Sequence, residues 1–157
     1  MARKKSNQTG RIINRRARFD YELSDDLVVG LELTGAETKS LRRGHGQLRG
    51  AYVTVKDSAR GGELWLINAS ITGDNGIVIS DTDKTRARKL LAKRREIDAL
   101  IAAKQQGRTI VPLELLTRGR YIKLRISVGK GKKHYDKRET IKRRDTDRQT
   151  KAELKGR

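Results

Sequence analysis

The chain has 157 residues, no cysteine, one proline, 34% apolar residues and a net charge of +19. That length suffices for one domain with a modest core, and the low apolar share leaves part of the chain outside it. Without cysteine there are no disulfides, thiolate nucleophiles or cysteine zinc sites, which fits a reducing cytosol; no apolar run nears the roughly 20 residues that span a bilayer, and no apolar h-region follows the basic start.

The chain opens on a cationic arm. Residues 1–18 hold seven basic side chains (Arg3, Lys4, Lys5, Arg11, Arg15, Arg16, Arg18) and no acid. Residues 1–10 are expected to be flexible, with a folded domain over 11–128. Residues 19–37 read as two strands: Leu27, Val29, Leu31 and Leu33 fall on one face, Val28, Gly30, Glu32 and Thr34 on the other, the period-two alternation of a half-buried strand. GAETKSLRRGHG predicts a short helical turn closed by Gly44 or Gly46, with Glu37 placed to cap it. AYVTVKDSARGGELWLINASI predicts a hairpin around Gly61-Gly62. Trp65, Ile67, Ala69 and Ile71 share its core face, and Leu64 and Leu66 make the other face partly apolar, so the strand is central.

Residues 72–82 read as a polar loop. Thr85 as N-cap and Gly107 at the left-handed end then frame a long helix, with Leu90, Leu91, Ile97, Leu100 and Ile101 as its apolar stripe. On that stripe Leu91 serves core packing as well as it would serve a contact. TIVPLELLTRGRYIKLRISV is a second hairpin turning near Arg118-Gly119. Ile122, Leu124, Ile126 and Val128 face inward; Tyr121, Lys123 and Arg125 face outward, and Tyr121 is a candidate for stacking. Tyr21 suits either core or stacking surface. The whole is mainly β: five or six antiparallel strands, one long helix and one short, an arrangement that closes most simply into an OB-like barrel.

The apolar pattern stops after Val128. Residues 129–157 hold twelve basic and five acidic side chains, and only Tyr135, Ile141, Ala152 and Leu154 are apolar. Such a tail cannot fold alone and is expected to be disordered when free. Yet no glycine or proline interrupts residues 132–155, and Glu139–Arg143 and Asp147–Lys151 are acid-before-base pairs four apart. The segment is therefore expected to become helical when a polyanion neutralises it. Two cationic ends on a milder body point to nucleic acid; a membrane surface fits less well, because no basic face is matched by a continuous apolar one.

Nothing points to an enzyme. The nucleophile elbow, the phosphate-loop motif and H-E-x-x-H are all missing. His45 and His134 lie 89 positions apart without ligand-like neighbours, so neither a metal nor a cofactor is expected.

Four blocks in order, N14-R-R-A-R18 followed by Asp20-Tyr21, G35-A-E-T-K-S-L-R42, D83-K-T-R-A-R-K-L-L91 and G129-K-G-K-K-H-Y-D-K-R-E-T-I-K-R143, resemble the small protein B (SsrA-binding) family, the bacterial partners of transfer-messenger RNA. The resemblance implies a cytoplasmic, monomeric adaptor in trans-translation that holds the tRNA-like domain of that RNA. It would be delivered to stalled ribosomes together with elongation factor Tu. It implies RNA-binding roles for Asn14, Arg15, Arg16 and Arg18 at the barrel entry, and for Glu37 and Lys39 in contact or in organising the surface. Arg86, Arg88, Lys89 and Leu91, at the start of the long helix, and Lys123, on the last strand, would also bind RNA. Lys130, Lys132 and Lys133 would begin the tail, and Tyr135, Asp136, Lys137 and Arg138 would pass the ribosomal decoding centre as residues 129–157 enter the empty message channel. The chain departs from the family at Val28, where a glutamate is frequent, at Lys84, in place of a proline, and in a loop shortened around residues 73–80. A structural ribosomal protein is the other reading that two basic arms allow.

Overall fold

The computed structural model describes residues 10–155, so all of the expected flexible N-terminus except Gly10 lies outside the described residues. In chain order its elements are β1 (Arg11–Ile13), α1 (Ala17–Asp20), β2 (Tyr21–Leu31), α2 (Gly35–Arg42), β3 (Gly46–Gln47), β4 (Tyr52–Lys56), β5 (Glu63–Ile67), β6 (Ser70–Ile71), α3 (Asp81–Lys84), β7 (Arg88–Leu91), α4 (Arg94–Gln105), β8 (Thr109–Leu116), β9 (Lys123–Gly131) and α5 (His134–Lys155). The protein is a mainly antiparallel sheet with flanking helices.

The pairing follows β1-β8-β4-β5-β7-β2-β9, and β9 pairs again with β8, so six strands form a ring with β1 outside it on β8. The inner face carries the core. Leu124 and Ile126 are fully buried, Ile122 and Val128 nearly so, and they meet Val29, Leu64, Leu66, Leu90 and Ile110. Each such side chain contributes about 1.5–3 kcal/mol by leaving water. Pro112, which lacks the N–H that a central strand needs, sits at a register shift between β8 and β9.

Several expectations are corrected. Residues 19–37 hold not two strands but the end of α1, one eleven-residue strand, β2, whose register slips between Ser24 and Asp26, and the start of α2. Asp25, at φ 26°, is the extra residue of that bulge. The strand expected to run to Ile71 ends at Ile67, because Asn68 turns left-handed at φ 60°. The turn shifts the alternation. Leu64, Leu66, Ala69 and Ile71 are the buried set, while Trp65, expected in the core, lies half-buried on the outer face. The helix expected from Thr85 begins only after Lys93, and residues 88–91 are a strand between β5 and β2. Leu90 is buried and Leu91 exposed, as period two requires. The loop of residues 72–82 contains the start of α3, whose N-cap, Ser80, accepts a hydrogen bond from the Asp83 N–H. The short helix is α2, closed by Gly44 at φ 88°.

The last strand continues to Gly131, three residues beyond the expected boundary at Val128, with Gly129, Lys130 and Gly131 paired to Leu23, Glu22 and Tyr21. Then α5 leaves the body as a 22-residue helix.

Candidate nucleic-acid interface

The N-terminal block is fixed by its backbone and by one side chain. The Asn14 N–H donates to the Leu113 carbonyl at 2.7 Å and its amide Nδ2 to the Pro112 carbonyl at 3.0 Å. Ala17 is buried against Val111 and Leu113. With these two residues anchored on β8, Arg15, Arg16 and Arg18 project as exposed cations, and Asn14 is half-buried beside them.

The second and third blocks meet in one buried cluster. Glu37 is only 1% exposed. It closes a capping box on α2, accepting from the Thr34 N–H at 2.9 Å while the Thr34 hydroxyl accepts from the Glu37 N–H. The same carboxylate takes a bidentate pair from Arg86 at 2.9 and 2.7 Å and the Arg88 Nε at 3.0 Å. The other four Arg88 donors reach the carbonyls of Ala69, Arg86, Asp83 and Lys84 at 2.8–3.2 Å. All five guanidinium N–H groups are therefore used. Burial pushes the Glu37 carboxyl up, but the Arg86 hydrogen bond, the Thr34 N–H and the Arg88 charge outweigh it and hold the group below its ordinary value. Burial likewise pulls the Arg88 guanidinium down, opposed by the charge of Glu37.

This geometry corrects the RNA-contact expectation for Arg88 and, for Glu37, favours organising the surface over contact. Arg88, with no exposed surface, cannot touch RNA, and Glu37 organises the fold from beneath. Arg86 pairs with Glu37, which raises its pKa, and keeps 31% of its side chain exposed. The three tie α2, α3 and β7 together. Their sequence separation of about fifty residues left no local signal beyond the T-x-x-E cap.

The outer face of the ring is the surface that remains. Across consecutive strands it carries Lys56, Trp65, Lys89, Leu91 and Lys123. The Lys56 ammonium sits 4.6 Å from the Trp65 ring centroid. Trp65 stands opposite Lys89, and Gly30 stands opposite both Leu91 and Lys123. Leu91 is 53% exposed, which removes the core reading of that residue. A Cβ added at Gly30 would come within 3.1 Å of the Leu91 Cβ, so glycine leaves the space in which the flanking side chains project. Lys89 donates to Glu63 at 2.8 Å, which holds the Glu63 carboxyl below its usual value. Val28 is exposed on this face opposite Arg125, which pairs with Glu114 at 3.0 Å. Lys56 went unnoticed in the sequence, and Trp65 reads there as core, because a strand apolar on both faces does not show which side is the core.

Elsewhere, Lys39 is exposed on α2. Tyr121 is exposed with the Arg120 guanidinium 5.4 Å from its ring, and Tyr21 packs beside Ala17. Lys130, Lys133 and Arg138 are exposed. Tyr135 is 60% exposed at the first turn of α5, and Asp136 accepts the Lys133 N–H at 3.2 Å. Lys132 and Lys137 face back towards α1, Lys137 reaching Asp20 at 3.1 Å. The expected set thus divides into an outer face, an N-terminal block, a buried cluster and a tail.

Among the described residues no helix is long and apolar enough to cross a membrane, and no group of three His, Asp or Glu side chains is placed to hold a metal ion.

The family model described as SmpB protein matches residues 11–156. The chain belongs to the SmpB family. An SsrA-binding protein of Paracoccus denitrificans is 45% identical over 155 residues, 96% of this chain and 97% of that one. Another, from Synechococcus sp. (strain JA-3-3Ab), is 44% identical over 146 residues, 92% of each. A chain of the solved structure described as "tmRNA-SmpB: a journey to the center of the bacterial ribosome" superposes with a TM-score of 0.64 at 34% identity, over 84% of this chain and 94% of that one. The SmpB match extends over every block from Asn14 to Arg143, buried cluster and tail included.

Proposed function

We propose that this SmpB-family protein is an RNA-binding adaptor, not an enzyme, that holds the tRNA-like domain of transfer-messenger RNA and brings it to stalled ribosomes in the cytoplasm. The observation that carries this is the family match over residues 11–156, which spans both the body with its cationic outer face and the cationic helix beyond it. The ring of strands β8-β4-β5-β7-β2-β9 supports the finer reading of the body as a closed OB-like barrel. Such a body grips folded RNA through phosphates at Arg15, Arg16, Arg18, Lys39, Lys89 and Lys123, with Leu91 as an apolar contact between two cations.

The tail has a separate task. From Lys142 to Leu154 every α5 side chain is exposed, and an isolated helix of this length is marginal in water. In our reading the distal tail, from residue 145 on, is coil in the free protein and helical in the vacant message channel, where ribosomal RNA supplies the counter-charge and message would compete for the same surface. Tyr135 is then free to stack on an unpaired base, for about 1–3 kcal/mol. Elongation factor Tu would join the delivery complex, with this chain as a monomer.

Sequencing the RNA that copurifies with the tagged protein tests the assignment. The expected result is one dominant species with a tRNA-like acceptor end, released from ribosomes by a high-salt wash. Retention at one copy per washed small subunit, with no separate RNA, would instead mark a structural ribosomal protein.

A further inference from the structure

We infer that α1 is a clasp for the root of the tail: Phe19 and Asp20 hold the first turns of α5 against the body and so set the direction in which the tail leaves it. The contacts are few and converge on Arg18, Phe19 and Asp20. The Lys132 N–H donates to the Asp20 carbonyl at 2.9 Å and its ammonium to the Arg18 carbonyl at 3.1 Å. One turn on, the Lys137 ammonium lies 3.1 Å from the Asp20 carboxylate and 6.0 Å from the Phe19 ring centroid. Two turns later the Arg144 guanidinium stands 5.6 Å from the same ring.

Lys137, Thr140 and Arg144 are spaced three and four apart, hence on one face of the helix. On α5 only Asp136, Lys137 and Thr140 are half-buried; every other side chain described is exposed. The clasp therefore holds the root and nothing beyond it. Its chemistry suits a tail that is otherwise all cation. Asp20 is the first acid in the chain, after seven basic residues, and Phe19, the only phenylalanine, offers a ring face that cations of either type can cover. Asp20 also has Arg16 at 4.0 Å, so the turn that projects Arg16 and Arg18 as cations is the turn that holds the tail. Each contact is exposed or half-exposed and weak alone, which permits release when phosphates compete for Lys137 and Arg144. The docking is a property of the free chain. Its use in aiming the tail rests on the functional reading above.

The absence of cysteine makes a distance measurement direct. Spin labels on Arg108→Cys and Arg143→Cys, both exposed sites, in the full chain without RNA should give a narrow distance component from the docked root. Asp20→Lys should cut that component about two- to fivefold, and Lys137→Asp added to it should restore the component. Lys137→Ala with Arg144→Ala should cut it as much; these changes lie in the tail alone and cannot unfold the body. The absence of a narrow component in the parent chain, or its survival in both Asp20→Lys and the tail double variant, would overturn the clasp. For the aiming role, Phe19→Ala should slow rescue of stalled ribosomes at unchanged affinity for the RNA. Unchanged rescue with the docked component lost would confine Phe19 to a contact without that role.

Discussion

Strand β9 and helix α5 are neighbours in sequence, separated only by Lys132 and Lys133, and they are ordered by opposite means. In β9 Leu124, Ile126 and Val128 are buried, and both edges are paired, to β2 and to β8. In α5 none of the described side chains is buried, and the helix touches the body only through its first three turns. The strand cannot change its shape without exposing Leu124 and Ile126. The helix depends on local spacing and a few charged contacts, so its order is open to its surroundings. On the function proposed, the pair would combine a fixed RNA-gripping body with an adaptable probe.

The sharpest way to break this contrast is to damage the body from within. Arg88→Ala leaves the buried Glu37 carboxylate with a single cationic partner and should cost about 3–5 kcal/mol, read as a fall in melting temperature with α5 removed or retained alike. A melt that depended on α5 would couple the two regions and undo the comparison. Protonating Glu37 is the milder version of that damage. Its carboxyl is held below its ordinary 4.5 when folded, so its contribution is fully present above that pH and is lost as pH falls through the folded value. An acid titration of stability should show this step, and Glu37→Gln should lack it.

Truncation sharpens the comparison. A cut after Lys132 keeps β9 whole and should change stability by under about 1 kcal/mol while retaining RNA binding and abolishing rescue. A cut after Val128 also removes the paired residues Gly129, Lys130 and Gly131 and should cost about 1–3 kcal/mol at roughly 1 kcal/mol per lost hydrogen bond. Equal melting temperatures for the two cuts would contradict the strand boundary. The smallest effect expected is that of Lys123→Ala on the outer face: weaker RNA binding, a salt slope reduced by about 1, and an unchanged melting temperature.

What the sequence revealed follows the same division. The β8–β9 hairpin was legible because Ile122, Leu124, Ile126 and Val128 alternate with polar residues, and the tail was legible because apolar residues run out. Residues 85–93 misled because R-A-R-K-L-L satisfies both a helical stripe and a buried strand over so short a run; pairing with β5 and β2 decided it. Trp65 misled because an apolar residue on a central strand fits either face until the turn at Asn68 is known. At the site, charge alone pointed to the two cationic ends, and the individual cations of the body came from the resemblance of the blocks. The roles of Glu37 and Arg88 could not, since an acid and a base 51 positions apart become partners only when α2 and β7 come together. The clasp was hidden for the same reason, with 117 positions between Asp20 and Lys137.

Amide hydrogen exchange along the free chain, repeated on ribosomes with an empty message channel, tests the contrast most directly. The account predicts near-global protection at Leu124 and Ile126 in both states. Between residues 145 and 155 it predicts coil-like exchange in the free protein and strong protection on the vacant ribosome. Equal protection of that distal stretch in both states, or its failure to gain protection on the ribosome, would contradict it.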